Sequence, residues 1–148
     1  RMGSAIARAI LSAGFDLMVW NRTRAPCDAL AAELGCRSVD TPAEVAGACD
    51  VIISMLADTE AVDAVYSAPD GVVAGARPGS VLVDSSTVPP AVIRRHETAI
   101  RDRRAGVIDN GDQAPFVERC AGMREAQSHH GSHRDIVTAA AIRNSPTR

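Results

Sequence analysis

Apolar and polar positions along this chain fall into blocks whose period switches between that of a helix and that of a buried strand. Gly3 to Ala13 carries apolar residues at helical spacing. Ala5, Ile6, Ala9, Ile10 and Ala13 are predicted to form the buried face of that helix, and Gly14 to stop it. Phe15 to Trp20 is a continuous apolar run broken only by Asp16, the pattern of a strand covered on both sides. Pro26 suits the first turn of a helix over Ala25 to Leu34, which Gly35 ends. A short strand follows at Cys36 to Val39, and Thr41 with Glu44 forms a capping-box pattern ahead of a helix reaching Ala48. Asp50 to Leu56 and Val81 to Asp84 read as buried strands. Between them lie a helix over Thr59 to Ser67 and a turn at Arg77-Pro78-Gly79-Ser80. Pro89 or Pro90 opens a charged helix to about Arg104, Gly106 stops it, and Val107 to Asp109 begins one more strand.

Helices alternating with buried strands predict an α/β domain with a mainly parallel sheet over residues 1–109. After Asp109 the alternation lapses. Helical periodicity is weak around Val117 to Ala126 and Asp135 to Arg143, and residues 110–148 are expected to form a disordered or loosely helical tail.

Composition narrows the class. A chain of 148 residues has room for one core, and its 46% hydrophobic and 23% charged content is that of a globular protein. A net charge of -2 gives no reason to expect nucleic acid or an anionic membrane as partner. No apolar run approaches the ~20 residues that span a bilayer, and a cytoplasmic location is expected. Cys27, Cys36, Cys49 and Cys120 lack Cys-x-x-Cys spacing and are expected to be ordinary thiols. All sixteen basic residues are arginine. Arginine holds its proton, so chemistry that needs a lysine base or Schiff base cannot run on these residues alone.

Two places carry the chemistry. Gly3 opens a helix, and a helix N-terminus presents free N–H groups and a positive dipole end to a phosphate. The turn Asn21-Arg22-Thr23-Arg24 follows the next strand at the distance expected of a dinucleotide-binding unit. An acidic residue there holds the ribose 2′-hydroxyl of NAD, whereas arginine accommodates the 2′-phosphate of NADP. Asn21 stands where the carboxylate would be, Arg22 follows, and Thr23 adds a hydroxyl. NADP is therefore expected in preference to NAD. The plain alternatives are an ordinary helix start and a solvated basic turn.

Met2-Gly3-x-x-x-Ala7, Asn21-Arg22-Thr23, Met55-Leu56 at a strand end and Asp84-x-Ser86-Thr87-x-x-Pro90 occur in order and at fitting intervals. Over roughly residues 2–108 this set resembles the cofactor domain of the β-hydroxyacid dehydrogenase family, which includes 3-hydroxyisobutyrate and 6-phosphogluconate dehydrogenases. The resemblance implies a Rossmann-type doubly wound sheet, hydride transfer between NAD(P) and a small hydroxyacid, and roles for matching residues. Gly3 would be the third glycine of the phosphate loop; Asn21, Arg22 and Thr23 would face the adenosine ribose and its phosphate. Leu56 and Ala57 would line the cofactor, although the family usually has proline at the latter position. Thr87 would touch the nicotinamide side and Ser86 the substrate, with a capping or turn role for Ser86 as the alternative.

The departures from the family shape the expectations as well. Its first strand and first two glycines have no counterpart here, and Asn110 to Pro115 does not match its substrate-binding segment. The helical second domain and its proton-transferring lysine are also missing, so no residue of this chain is assigned a catalytic role. The sequence reads as a gene remnant or mis-bounded frame with weak nucleotide binding and no turnover. The alternative is a non-catalytic nucleotide-binding or interaction fragment. The absent strand would leave two central sheet edges bare, which invites association, including a homo-oligomer. His129, His130 and His133 have metal-tract spacing without a scaffold, and no metal site is assigned. Arg94, Arg95 and His96 with Arg101, Arg103 and Arg104 are expected on a solvated helix face.

Overall fold

The computed structural model describes residues 2–109 and 139–143. Chain order is α1 (Met2–Ser12), β1 (Asp16–Trp20), α2 (Arg24–Leu34), β2 (Arg37–Ser38), α3 (Pro42–Ala48) and β3 (Val51–Ser54). Then come α4 (Thr59–Ser67), α5 (Val72–Gly75), β4 (Val81–Asp84), α6 (Pro90–Asp102), β5 (Gly106–Asp109) and β6 (Ala139–Arg143). The strands form one sheet in the order β2-β1-β6-β3-β4-β5. β1 pairs parallel with β2, and β3, β4 and β5 pair parallel in series, while β6 runs antiparallel to both of its neighbours.

The period-two alternation of the strands separates two cores. Leu17 and Val19 of β1 pack with Ala7 and Ile10 of α1 and Cys27, Leu30 and Ala31 of α2. Met18, Ile52 and Leu82 point to the other face, where Val45, Val62, Tyr66, Val92, Ile93 and Ile100 from α3, α4 and α6 close over them. Both faces are thus covered, as a parallel sheet requires. The element ends follow local rules. Gly35 terminates α2 in the left-handed region at φ 67°, where its missing Cβ removes the steric cost. The Glu44 N–H donates to Thr41 Oγ1 at 3.2 Å, and the Thr41 hydroxyl lies 3.2 Å from Glu44 Oε1. The cap is present, but the Glu44 side chain meets the threonine hydroxyl in place of its backbone N–H.

Two expectations, for α1 and for the tail, are corrected. The buried face of α1 consists of Gly3, Ala7 and Ile10, with Ile6 and Leu11 half-buried, whereas Ala5, Ala9 and Ala13 are exposed. Positions 3, 6, 7 and 10 make the continuous helical stripe; methyl side chains elsewhere are too small to orient a helix. The second correction concerns the tail. In place of the weak helix over Asp135 to Arg143 there is a strand at Ala139–Arg143, inserted between β1 and β3. The two central edges expected to be bare are paired by it. A strand slot with unpaired N–H and C=O groups on both sides is satisfied by any extended segment that reaches it, whatever its local periodicity. The predicted helix at Val117 to Ala126 and the histidines at 129, 130 and 133 lie outside the described residues.

Candidate functional site

Register locates the edge at which the parallel strands end. Trp20, Ala139, Ser54, Asp84 and Asp109 stand in one transverse row, each opposite the next across the ladders. The turns leaving β1, β3 and β4 rise from that row, as does the N-terminus of α1. α1 runs back along β1 to reach the start of that strand, and its 11 residues match the length of the five-residue strand. Gly3, the Asn21–Arg24 turn, Leu56–Ala57 and Ser86–Thr87 are therefore gathered at a single edge. In open α/β sheets this carboxyl edge is where ligands bind.

Each predicted residue has a distinct setting there. Gly3 is buried at the first turn of α1. The Asn21 amide donates to the Thr23 carbonyl at 3.0 Å and closes the turn. Thr23 is the extended N-cap of α2, and its side chain makes no capping bond. Arg24 is committed to protein: it meets both carboxylate oxygens of Asp28 at 2.9 Å and also pairs with Asp40. Arg22, two residues earlier and exposed, makes no ion pair among the described residues. The Ser38 hydroxyl, at 2.6 Å, and then Arg24 hold the Asp28 carboxyl below its ordinary pKa. Trp20 ends β1, half-buried, with its indole N–H on the Asp40 carbonyl at 3.0 Å.

On the other side of the row Leu56 is buried, Ala57 and Thr87 are exposed, and Ser86 is half-buried. The Leu56 N–H donates to Ser86 Oγ at 2.9 Å, and the Ser86 hydroxyl reaches Asp84 Oδ2 at 3.2 Å. Ser54 and Tyr66 bond Asp84 from below. Of this polar group only Ser86 is a predicted site residue; Asp84 entered as part of a motif without a role, and Ser54 and Tyr66 not at all. Its signal was a polar residue closing each of two apolar strands, Val-Ile-Ile-Ser54 and Val-Leu-Val-Asp84, which parallel pairing sets side by side.

Two further features lie elsewhere. A cavity of about 240 Å³ opens at the opposite edge, lined by Leu11, Asp16, Cys36 and Arg37 among others. It sits at the amino ends of the strands and touches none of the predicted site residues, so position within the sheet outweighs volume as a guide. His96 departs from the expected solvated face. Its ring is buried, 2.8 Å from Asp63 Oδ1 through Nε2 and 5.3 Å from the Tyr66 ring centre. Arg95 pairs with the same Asp63 at 2.6 Å, while Arg94, Arg101, Arg103 and Arg104 are exposed as expected. His96 lies on the stripe of Val92, Ile93 and Ile100, and with Asp63 on Nε2 and the Ser67 hydroxyl 3.4 Å from Nδ1 both ring nitrogens have partners there.

A doubly covered sheet, a helix N-terminus beside its centre and polar turns along one edge define a dinucleotide-binding α/β domain of Rossmann type. The chain belongs to the family described as the NAD binding domain of 6-phosphogluconate dehydrogenase, whose model matches residues 1–111. Among curated proteins it is 41% identical over 92 residues to the cytokine-like nuclear factor N-PAC of Xenopus tropicalis, an alignment covering 62% of this chain and 17% of that protein. Among solved structures it resembles an imine reductase from Myxococcus stipitatus in complex with NADP+, at 31% identity and a TM-score of 0.64, over 74% of this chain and 37% of that one. It also resembles the 3-hydroxyisobutyrate dehydrogenase of Mycobacterium tuberculosis, solved with L-serine, at 27% identity and a TM-score of 0.64, over 73% and 36% of the two chains. The chain thus spans about a sixth of the curated relative and little more than a third of these structural neighbours.

Proposed function

We propose that this domain binds NADP along the carboxyl edge of its sheet, as the coenzyme-holding part of an oxidoreductase acting on small hydroxyacids. The observation that carries the reading is the gathering at one edge of the α1 N-terminus and an arginine, Arg22, that no described carboxylate engages. The residues present suit the group. Gly3 brings no side chain to the first turn of α1, where the positive end of the helix dipole favours a pyrophosphate. Arg22 and the Thr23 hydroxyl supply donors for a 2′-phosphate, and Asn21 withholds the negative charge that would repel it. Leu56 and Ala57 offer apolar surface to the coenzyme, and Thr87 a hydroxyl toward its nicotinamide end. Bound nicotinamide would supply the hydride chemistry; the protein contributes orientation and charge placement.

NAD binding at the same edge, more weakly, belongs to this reading, as do a hydroxyacid substrate near Ser86, a cytoplasmic setting and self-association. The complete lack of lysine supports a second reading, a nucleotide-binding module without turnover. Titration of the purified chain with NADP and NAD, followed by thermal shift, tests both. The expected outcome is a larger shift with NADP and no oxidation of short 3-hydroxyacids. Absence of any response to either coenzyme at millimolar concentration would overturn the coenzyme reading, and measurable turnover would overturn the second.

A further inference from the structure

Asp84 is fully buried at 0% exposure, and it collects hydrogen bonds from two directions. From the core come Ser54 Oγ at 2.5 Å and Tyr66 OH at 3.2 Å, both onto Oδ2. From the carboxyl edge come Ser86 Oγ at 3.2 Å onto Oδ2 and the Ser86 N–H at 2.9 Å onto Oδ1. A hydroxyl has one proton to give. Ser54 gives its proton to Asp84, so in the 2.8 Å Ser54–Tyr66 contact it only accepts, and the single Tyr66 proton is shared between Ser54 Oγ and Asp84 Oδ2. Ser86, with its proton on Asp84, presents only lone pairs, and one of them takes the Leu56 N–H at 2.9 Å. Asp84 Oδ2 is thus the one acceptor on which the Ser54, Tyr66 and Ser86 hydroxyls converge.

We propose that Asp84 is a positioning residue for the coenzyme edge. Braced from the core by Ser54 and Tyr66, its carboxylate turns the Ser86 hydroxyl so that it captures the Leu56 N–H, and the loops leaving β3 and β4 become one rigid surface. Only the functional consequence of this lock rests on the coenzyme reading; the lock itself is a property of the chain. Asn at position 84 has one acceptor oxygen: turned toward the three hydroxyls it sets its NH2 against the Ser86 N–H, and turned the other way it sets that NH2 where the hydroxyls now donate. In either orientation the grip on Ser86 loosens, and its capture of the Leu56 N–H is lost or weakened.

The test compares the full chain with Asp84→Asn, Ser86→Ala and, as a core control at the far end of α6, Ile100→Ala. Amide exchange at Leu56 is followed by NMR, and NADP affinity by titration. Asp84→Asn and Ser86→Ala are expected to speed Leu56 exchange and to weaken NADP binding, each roughly tenfold. Ile100→Ala is expected to lower the melting temperature while moving neither quantity beyond about twofold. Should Asp84→Asn fail to fold, Ser86→Ala, at a half-buried position, carries the comparison. Unchanged Leu56 exchange in both variants overturns the proposal, as does an equal acceleration by Ile100→Ala. If the unmodified chain fails to bind NADP while Leu56 responds as expected, the coenzyme reading falls and the lock stands. Intact NADP binding with an indifferent Leu56 amide overturns the lock and leaves the coenzyme reading in place.

Discussion

Replacing Arg22 by alanine should separate the two coenzymes. The guanidinium is exposed and makes no ion pair among the described residues, so its removal breaks none of the described ion pairs, unlike removal of Arg24, which is held by Asp28 and Asp40. A unit charge about 4 Å from another is worth about 1 kcal/mol in bulk water and about 4 kcal/mol at the effective dielectric of a protein surface. Because Arg22 faces solvent, the lower part of that range applies, and ~1.4 kcal/mol corresponds to roughly a tenfold loss of affinity. Only NADP carries the 2′-phosphate, so NAD affinity should stay within about twofold. The chain provides its own reporter: its one tryptophan, Trp20, sits two residues before Arg22 at the end of β1. Titrating each coenzyme against Trp20 emission, at low and high salt, gives four dissociation constants for each protein. The NADP advantage should shrink in the variant and, for the unmodified chain, in high salt. Equal losses for both coenzymes, or no loss for NADP, would refute the placement of a phosphate beside Arg22.

Leu82 is fully buried in β4, and Leu82→Ala should cost about 3 kcal/mol in urea unfolding; a loss below ~1 kcal/mol would contradict its place in the core. Burial first, and then the nearby Asp28 charge, push the Cys27 thiol from 9.0 up to about 11. The folded chain holds that proton where the unfolded chain releases it, so the contribution is intact below pH 9 and is lost as pH rises toward about 11. Chemical denaturation at pH 8 and pH 10.5 checks the sign, which Cys27→Ala should flatten. Proline at position 141 cannot donate to either ladder of a strand paired on both sides, so Ala141→Pro should unfold the sheet centre or lower the melting temperature by several degrees. An unchanged melting temperature would show that β6 contributes nothing to the sheet.

Most of residues 2–109 was legible because their elements are locally determined. Val-Leu-Val-Asp84 and Thr59 to Ser67 were bounded to the residue by their own periodicity and turns. The carboxyl-edge grouping was legible too, since alternation of helix and strand returns each turn to the same side. Other features depended on neighbours that no local pattern displays. The orientation of α1 is set by which of its small residues meets β1, and a run of alanines does not distinguish them. His96 reads as part of a basic run until Asp63 from another helix is placed beside it. Asp84 was visible as one member of a motif, but its partners Ser54 and Tyr66 come from 30 and 18 residues away. β6 is the extreme case: Ala-Ala-Ala-Ile-Arg has no alternation, and only the gap between β1 and β3 gives it a structure.

That gap bears on where the protein can be divided. The family match ends at residue 111, and a cut there would keep every residue assigned to the coenzyme. It would also discard β6, the strand that joins the β2-β1 pair to the β3-β4-β5 trio. The shortened protein would be two half-sheets with raw seams facing one another, prone to stick to their own kind. Homology marks one frontier for this domain and backbone pairing another, some thirty residues further along.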